Sequence, residues 1–162
     1  MEIVTPEGSS EADALADLWV DLAESQRAHG SHLFAASNRA RIRQSIAHHI
    51  VEEGVRVARS DDGELLGFVM FSLEQSPYRQ DATRGVVENL YVRPAYRSAG
   101  IGGDLLDDAE CALADWGADV VSLEAMADNE KARRFYKTAG YEPHRIEGEK
   151  SLRTDTPSRG DE

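Results

Sequence analysis

The chain has 162 residues, enough for one domain whose core buries roughly two-thirds of the unfolded surface without disulfide or metal staples. Its single cysteine, Cys111, excludes an intramolecular disulfide and suits a reducing cytoplasm, and no apolar stretch nears the roughly 18 residues of a membrane span. Eighteen Lys and Arg against 30 Asp and Glu leave a net charge of -12, which repels nucleic-acid phosphates and anionic lipid. A soluble cytoplasmic protein is expected, with neither nucleic acid nor membrane as a partner.

Met1 to Thr5 reads as a short first strand. Ser10 and Asp13 form a capping box that opens a helix, with Leu15, Leu18, Trp19, Leu22 and Ala23 at helical spacing. After a loop over Gly30 to Ser37, Ile42, Ile46 and Ile50 repeat every four residues and predict a second helix from Asn38 to Ile50. The period then changes. Val55 and Val57 alternate with Arg56, Asp61-Asp62-Gly63 supplies a turn, and Leu65 to Leu73 returns as the second arm of an antiparallel hairpin. A polar loop containing Pro77 leads to a strand from Gly85 to Val92, which Pro94 ends.

Gly100 to Trp116 predicts a helix whose Ile101, Leu105, Ala109, Leu113 and Trp116 share one side. Asp104, Asp107, Asp108 and Glu110 form its solvated face, and Cys111 is most simply buried. Val120 to Leu123 reads as a buried strand and Asn129 to Ala139 as a helix stopped by Gly140. A last strand lies within Pro143 to Leu152. No internal repeat or linker divides the chain, so a single domain spans residues 1–154 and the tail 155–162 is expected to be disordered. Antiparallel strands leading into a strand-helix-strand unit imply an α+β layer with two strands in parallel.

The segment from Val86 to Gly103 carries the chemistry. A strand ends in Leu90-Tyr91-Val92-Arg93-Pro94, a small-residue loop Arg97-Ser98-Ala99-Gly100 follows, and a helix begins at Ile101-Gly102-Gly103. Free backbone N–H groups converge there on the positive end of a helix dipole, glycine lets ligand oxygens approach, and Arg97 adds a permanent cation. The arrangement suits a pyrophosphate. A P-loop is excluded because none of Lys131, Lys137 and Lys150 follows a glycine, and the dinucleotide pattern G-x-G-x-x-G is absent. Such a turn also serves merely to pack a helix closely, and its neighbours decide between the two.

Those neighbours resemble the GCN5-related N-acetyltransferase (GNAT) superfamily. Arg97-Ser98-Ala99-Gly100-Ile101-Gly102 matches that family's R/Q-x-x-G-x-G/A loop, preceded by its characteristic strand at Leu90-Tyr91-Val92-Arg93-Pro94. Asn129, Ala132, Phe135-Tyr136 and Gly140-Tyr141 match its second motif, in the family's order and separation. The resemblance covers most of Val55 to Tyr141, while the first fifty residues match only in helix pattern.

The resemblance implies the mixed α/β acetyltransferase fold: a central sheet flanked by helices on both faces, with a V-shaped opening between the fourth and fifth strands. It implies acetyl-CoA as acetyl donor, no metal, and direct transfer to a primary amine of a small molecule or peptide. The cofactor contacts it implies are Leu90, Tyr91, Val92, Arg97, Ser98, Ala99, Gly100, Ile101, Gly102, Gly103, Asn129 and Tyr136. Tyr136 occupies the family's general-acid position, its plain alternative being an aromatic core residue. Glu88 matches a glutamate used as base, its alternative being a solvated strand carboxylate. Asn129 either bonds the pantetheine arm or caps its helix, and Ser98 stands where glycine is common.

His29, His32, His48 and His49 lack the partners of a metal site, and lining of the acceptor side is the expected role for one of them. The C-terminal segment suits one further strand better than two, so a homodimer completing the sheet edge is expected. A rival reading from another class is a catalytically weak acyl-CoA-binding or sensing module.

The three lysines among 18 basic residues and the charge of -12 also match a protein adapted to saline, the plain alternative being an ordinary acidic enzyme. On the saline reading, screening relieves self-repulsion and the melting temperature rises toward molar KCl. Thermal melts across a KCl series check this, and a flat or falling trend contradicts it.

Overall fold

The computed structural model describes residues 1–153. Its elements are β1 (Glu2–Val4), α1 (Ser10–Arg27), α2 (Arg39–Val51), β2 (Val55–Arg59), β3 (Leu65–Leu73), β4 (Arg84–Val92), α3 (Ile101–Asp115), β5 (Val120–Ser122) and α4 (Glu130–Thr138). Single 3-10 turns lie at Ala36–Asn38 and Pro94–Tyr96. The five strands form one sheet in chain order. The pairs β1–β2, β2–β3 and β3–β4 are antiparallel, whereas β4–β5 is parallel and is bridged by α3. This is the mixed α/β sheet that the order of elements implies.

β3 shows why helices cover both faces. Its residues from Leu65 to Phe71 are all buried, a continuous apolar run that a half-solvated strand would interrupt with polar residues. Phe68 and Met70 pack with Leu15, Trp19 and Ile46 of α1 and α2. Leu66, Val69 and Phe71 pack on the other side with Leu105, Leu106 and Leu113 of α3. The β2–β3 connection is the expected Asp61-Asp62-Gly63 turn. Gly63 sits at φ 83°, where a side chain would be strained, and its N–H reaches the Ser60 carbonyl at 2.9 Å.

Three sequence expectations are corrected. No strand forms between Pro143 and Leu152 among the described residues, where Ile146 is 96% and Leu152 86% exposed. These two are the segment's only large aliphatic side chains, too few to offset the entropy of ordering it. The Ser10–Asp13 capping box is not made: Ser9 is the N-cap, its backbone already helical, and no side chain caps it. Glu11 instead accepts the Glu7 N–H at 2.6 Å and pairs with Arg59 of β2. Cys111 is exposed rather than buried, because the apolar stripe of α3 runs through Leu105, Leu106, Ala109, Ala112 and Leu113. The expected tail 155–162 lies outside the described residues.

β3 and β4 approach closely at the end nearest the site. A Cβ on Gly67 would lie 2.5 Å from the Tyr91 carbonyl oxygen and 3.1 Å from the Val92 Cα. Gly67→Ala must therefore push the two strands apart, and a loss of about 1–3 kcal/mol in urea unfolding followed by circular dichroism is expected. Wild-type stability would contradict the close approach.

Candidate active site

β4 and β5 hydrogen-bond at one end only, through Arg84↔Val120, Gly85↔Val121 and Val86↔Ser122. From Val87 to Val92, β4 runs on beside β3 alone, because β5 and its pairing with β4 end at Ser122. A cleft opens there at the carboxyl ends of two parallel strands, where open α/β sheets bind ligands. The Arg93 N–H bonds the Leu66 carbonyl on the β3 side. Alternation along the strand then points the backbone of Tyr91 toward β3 and that of Leu90 and Val92 into the cleft. Consistent with this, the Val92 carbonyl accepts from Arg97 Nε at 2.8 Å.

The loop from Arg97 to Gly103 closes the same end. Ser98 (φ 67°) and Gly100 (φ 85°) both adopt left-handed backbone, and Gly100 is the N-cap of α3. The Asp104 N–H makes the first intrahelical bond, to the Gly100 carbonyl, so those of Ile101, Gly102 and Gly103 have no intrahelical acceptor. The open amides and the helix dipole together favour an anion. Gly102 also faces α4, where a Cβ would stand 3.4 Å from the Phe135 ring, in van der Waals contact. Arg97 does not project freely: its guanidinium carbon lies 5.4 Å above the Tyr91 ring. Tyr91 itself is buried in the α1–α2 layer, so neither its backbone nor its ring faces the cleft.

A bulge sits just past the point where the two strands part. The β3–β4 register passes from Met70↔Asn89 to Phe71↔Val87, leaving Glu88 as the unpaired extra residue. Val87 and Leu90 belong to the α3 layer, and Glu88 turns to the opposite face, toward α2. There Glu88 Oε2 accepts from His49 Nε2 at 2.9 Å and from Ser72 Oγ at 2.6 Å. His49 Nδ1 in turn donates to the Ser45 carbonyl at 2.7 Å.

The hydrogen bond from His49, aided by that from Ser72, holds Glu88 below the usual carboxylate value although partial burial opposes it. The bond to Glu88 correspondingly raises His49 against its own burial, with the Ser45 carbonyl and the charges of Glu88 and Glu52 adding to the effect.

Tyr136 lies across the cleft on α4, packed against the α3 layer beside Tyr141, with ring centroids 6.1 Å apart. Burial pushes its hydroxyl above the usual tyrosine value. Asn129 caps α4, its Oδ1 accepting the Ala132 N–H at 3.1 Å. Tyr141 is raised further, by burial and by its bond to Glu110 at 2.6 Å.

His49 and Ser72 are the partners that the residue pattern left unpaired with Glu88. The available signal was a lone hydroxyl in the apolar run of β3 and a histidine adjoining the Ile46–Ile50 stripe of α2. Three other histidines have partners of their own: His29 bonds Asp128 at 3.0 Å, His32 bonds Glu149 at 2.9 Å and His48 pairs with Glu52 at 3.2 Å. Among the described residues no helix is long and apolar enough to cross a membrane.

The chain is similar to several known proteins. An uncharacterized N-acetyltransferase of Bacillus subtilis, YhfO, is 31% identical over 90 residues, covering 56% of this chain and 60% of that protein. The chain spans about half the length of the curated relatives it matches. Among solved structures, a tetramutant of the BH1408 protein from Bacillus halodurans superposes with a TM-score of 0.77 at 19% identity, covering 94% of this chain and 100% of that one. The PaiA N-acetyltransferase of Thermoplasma acidophilum, in complex with coenzyme A, gives 0.74 at 19% identity, covering 91% and 92%. At such identity these structures share the fold. The profile described as the Acetyltransferase (GNAT) family matches residues 13–141, well over half of the sequence, and the chain belongs to that family.

Proposed function

We propose that the protein is an acetyl-CoA-dependent N-acetyltransferase, in which an acceptor amine attacks the thioester directly. One observation carries the reading. β4 and β5 part after Val86 and Ser122, and the open backbone of Leu90 and Val92, the uncapped amides of Ile101 to Gly103, Glu88 and Tyr136 are arrayed around the cleft they leave. The coenzyme A held by the Thermoplasma neighbour supports the choice of donor.

The residues fit the donor's chemistry. The N–H groups at the start of α3 bind pyrophosphate, with the two terminal nitrogens of Arg97 adding charge. Leu90, Val92 and the amide nitrogen of Asn129 suit the peptide-like groups of the pantetheine arm, and the same backbone supplies an N–H for the oxygen that gains charge. Bound acetyl-CoA supplies an activated acyl group. Glu88 removes a proton from the acceptor amine, directly or through one water. The Tyr136 hydroxyl, which burial keeps protonated at neutral pH, gives its proton to the departing thiolate. A small cationic amine or a basic peptide N-terminus suits the acidic surface. The outer edge of β5, unpaired among the described residues, keeps a homodimer within this reading.

Incubation with acetyl-CoA and a panel of amines and peptides, following free thiol, tests the reading. Acceptor-dependent thiol release is expected, and binding without release would mark a sensing module instead. Gly102→Val should weaken acetyl-CoA binding in calorimetric titration of the folded variant, because a branched side chain would intrude where the phosphate oxygens approach the loop. Unchanged affinity removes the loop from the donor site. Tyr136→Phe keeps the ring and its packing, so affinity should hold while kcat falls about 10²-fold or more. Full turnover with chemistry rate-limiting would exclude Tyr136 as the acid.

A further inference from the structure

We infer that His49 is a positioning residue for Glu88. With Ser72 it pins carboxylate atom Oε2 and leaves Oε1 as the atom offered to the acceptor amine. The inference rests on the reading of Glu88 as the base.

The geometry is a chain of fixed contacts that begins in the backbone. Glu88 stands on a bulge, where it has no ladder partner on β3, and a free glutamate side chain there would lose its aim among many rotamers. His49 removes that freedom because it is itself held, with a side chain only 12% exposed and Nδ1 bound to the Ser45 carbonyl one turn earlier in α2. Ser72 fixes the same oxygen from β3 at 2.6 Å. Oε2 thus receives two donors from two elements, and no donor reaches Oε1 among the described residues.

The contacts also set the charge. A backbone carbonyl accepts only, so Nδ1 carries a proton. An ionised carboxylate likewise accepts only, so Nε2 carries another, and the ring is imidazolium. The other charged or titratable groups around it are Glu52, whose charge adds to that of Glu88, and His48, edge-on at 6.3 Å and itself paired with Glu52 at 3.2 Å.

The sign follows. A carboxylate held low keeps its charge to lower pH than a free one, and an imidazole held high keeps its charge to higher pH, so the pH window in which both are charged is widened at each end. The pair is lost below the lowered Glu88 value and above the raised His49 value. Held this way, Glu88 is a weaker base but keeps its charge to lower pH than a free carboxylate, suited to draw an acceptor in as its ammonium form before the proton is taken.

A purely structural ion pair tying α2 to β4 would, when broken, cost stability and leave the ionisation chemistry of the reaction untouched. Two measurements separate the cases. The first is carbon-13 NMR titration of glutamate-labelled protein, with the Glu88 carboxyl assigned through Glu88→Gln. Its midpoint should lie below the usual carboxylate value and rise by about one unit or more in His49→Ala, with a smaller rise in Ser72→Ala.

The second is kcat against pH, at saturating acetyl-CoA and the panel amine that releases thiol fastest. His49→Ala should lower kcat about tenfold and move the acidic limb upward, with the KM for acetyl-CoA unchanged. His49→Gln, which keeps a donor but no charge, should recover part of kcat and leave the limb displaced. A Glu88 midpoint and acidic limb at their wild-type positions in His49→Ala overturn the role of His49, even where melting shows the variant less stable. Unchanged kcat in Glu88→Gln overturns the base assignment and the positioning role with it.

Discussion

Every part of the candidate site depends on a single asymmetry in hydrogen bonding. β4 is paired to β3 along its length but to β5 only from Arg84 to Val86. Backbone groups inside a protein are nearly always partnered: the Val92 carbonyl on the open side is taken by Arg97, and the strand groups that β5 does not reach are tolerated only where solvent or a ligand reaches them. Parallel pairing then dictates the surroundings. A parallel neighbour requires a crossover, and the crossover is α3, so the chain leaving Val92 must turn and start a helix beside the same open edge. The uncapped amides of α3 and the free backbone of β4 are therefore two products of one connection.

The helical layers stabilise this arrangement unequally. α1 and α2 hold each other through Phe68, Met70, Trp19 and Ile46, and their outer faces are joined by arginine. Arg39 reaches Asp17 at 2.8 Å and Arg43 reaches Asp13 at 2.7 Å. Such exposed pairs contribute little individually, but they place cations against an otherwise acidic surface and keep carboxylates of α1 from repelling one another. On the opposite face α3 is deeply packed, whereas α4 has no fully buried residue and meets the sheet layer through partly buried Tyr136. The acid candidate thus rides on the least buried helix, and the base candidate on a strand between two well-packed layers.

Periodicity made most of the fold legible. The Leu65 to Leu73 run, the α3 stripe and the Asp61-Asp62-Gly63 turn each combine a local preference with burial in the same place, and their positions agree to within a residue or two. The failures occur where local pattern lacked a partner. Ser10 and Asp13 have the spacing of a cap, but the helix starts around Ser9 because Glu11 is engaged by Arg59 from a distant strand. Pro143 to Leu152 alternates weakly and has too little apolar area to hold a ladder. The loop around Gly100 was visible because its chemistry is contiguous in sequence. The His49–Glu88–Ser72 cluster was not, since its members come from α2, β4 and β3 and meet only once the bulge turns Glu88 toward the helix.

The contact between Gly102 and Phe135 joins the donor loop to the helix that bears Tyr136. The two positions are consequently not free to drift apart over generations. A single methyl at the loop position fits against the ring as it stands, whereas a branched side chain requires the partly exposed ring to tilt outward. Related sequences should therefore pair the bulkiest loop residues with a smaller or displaced ring on α4.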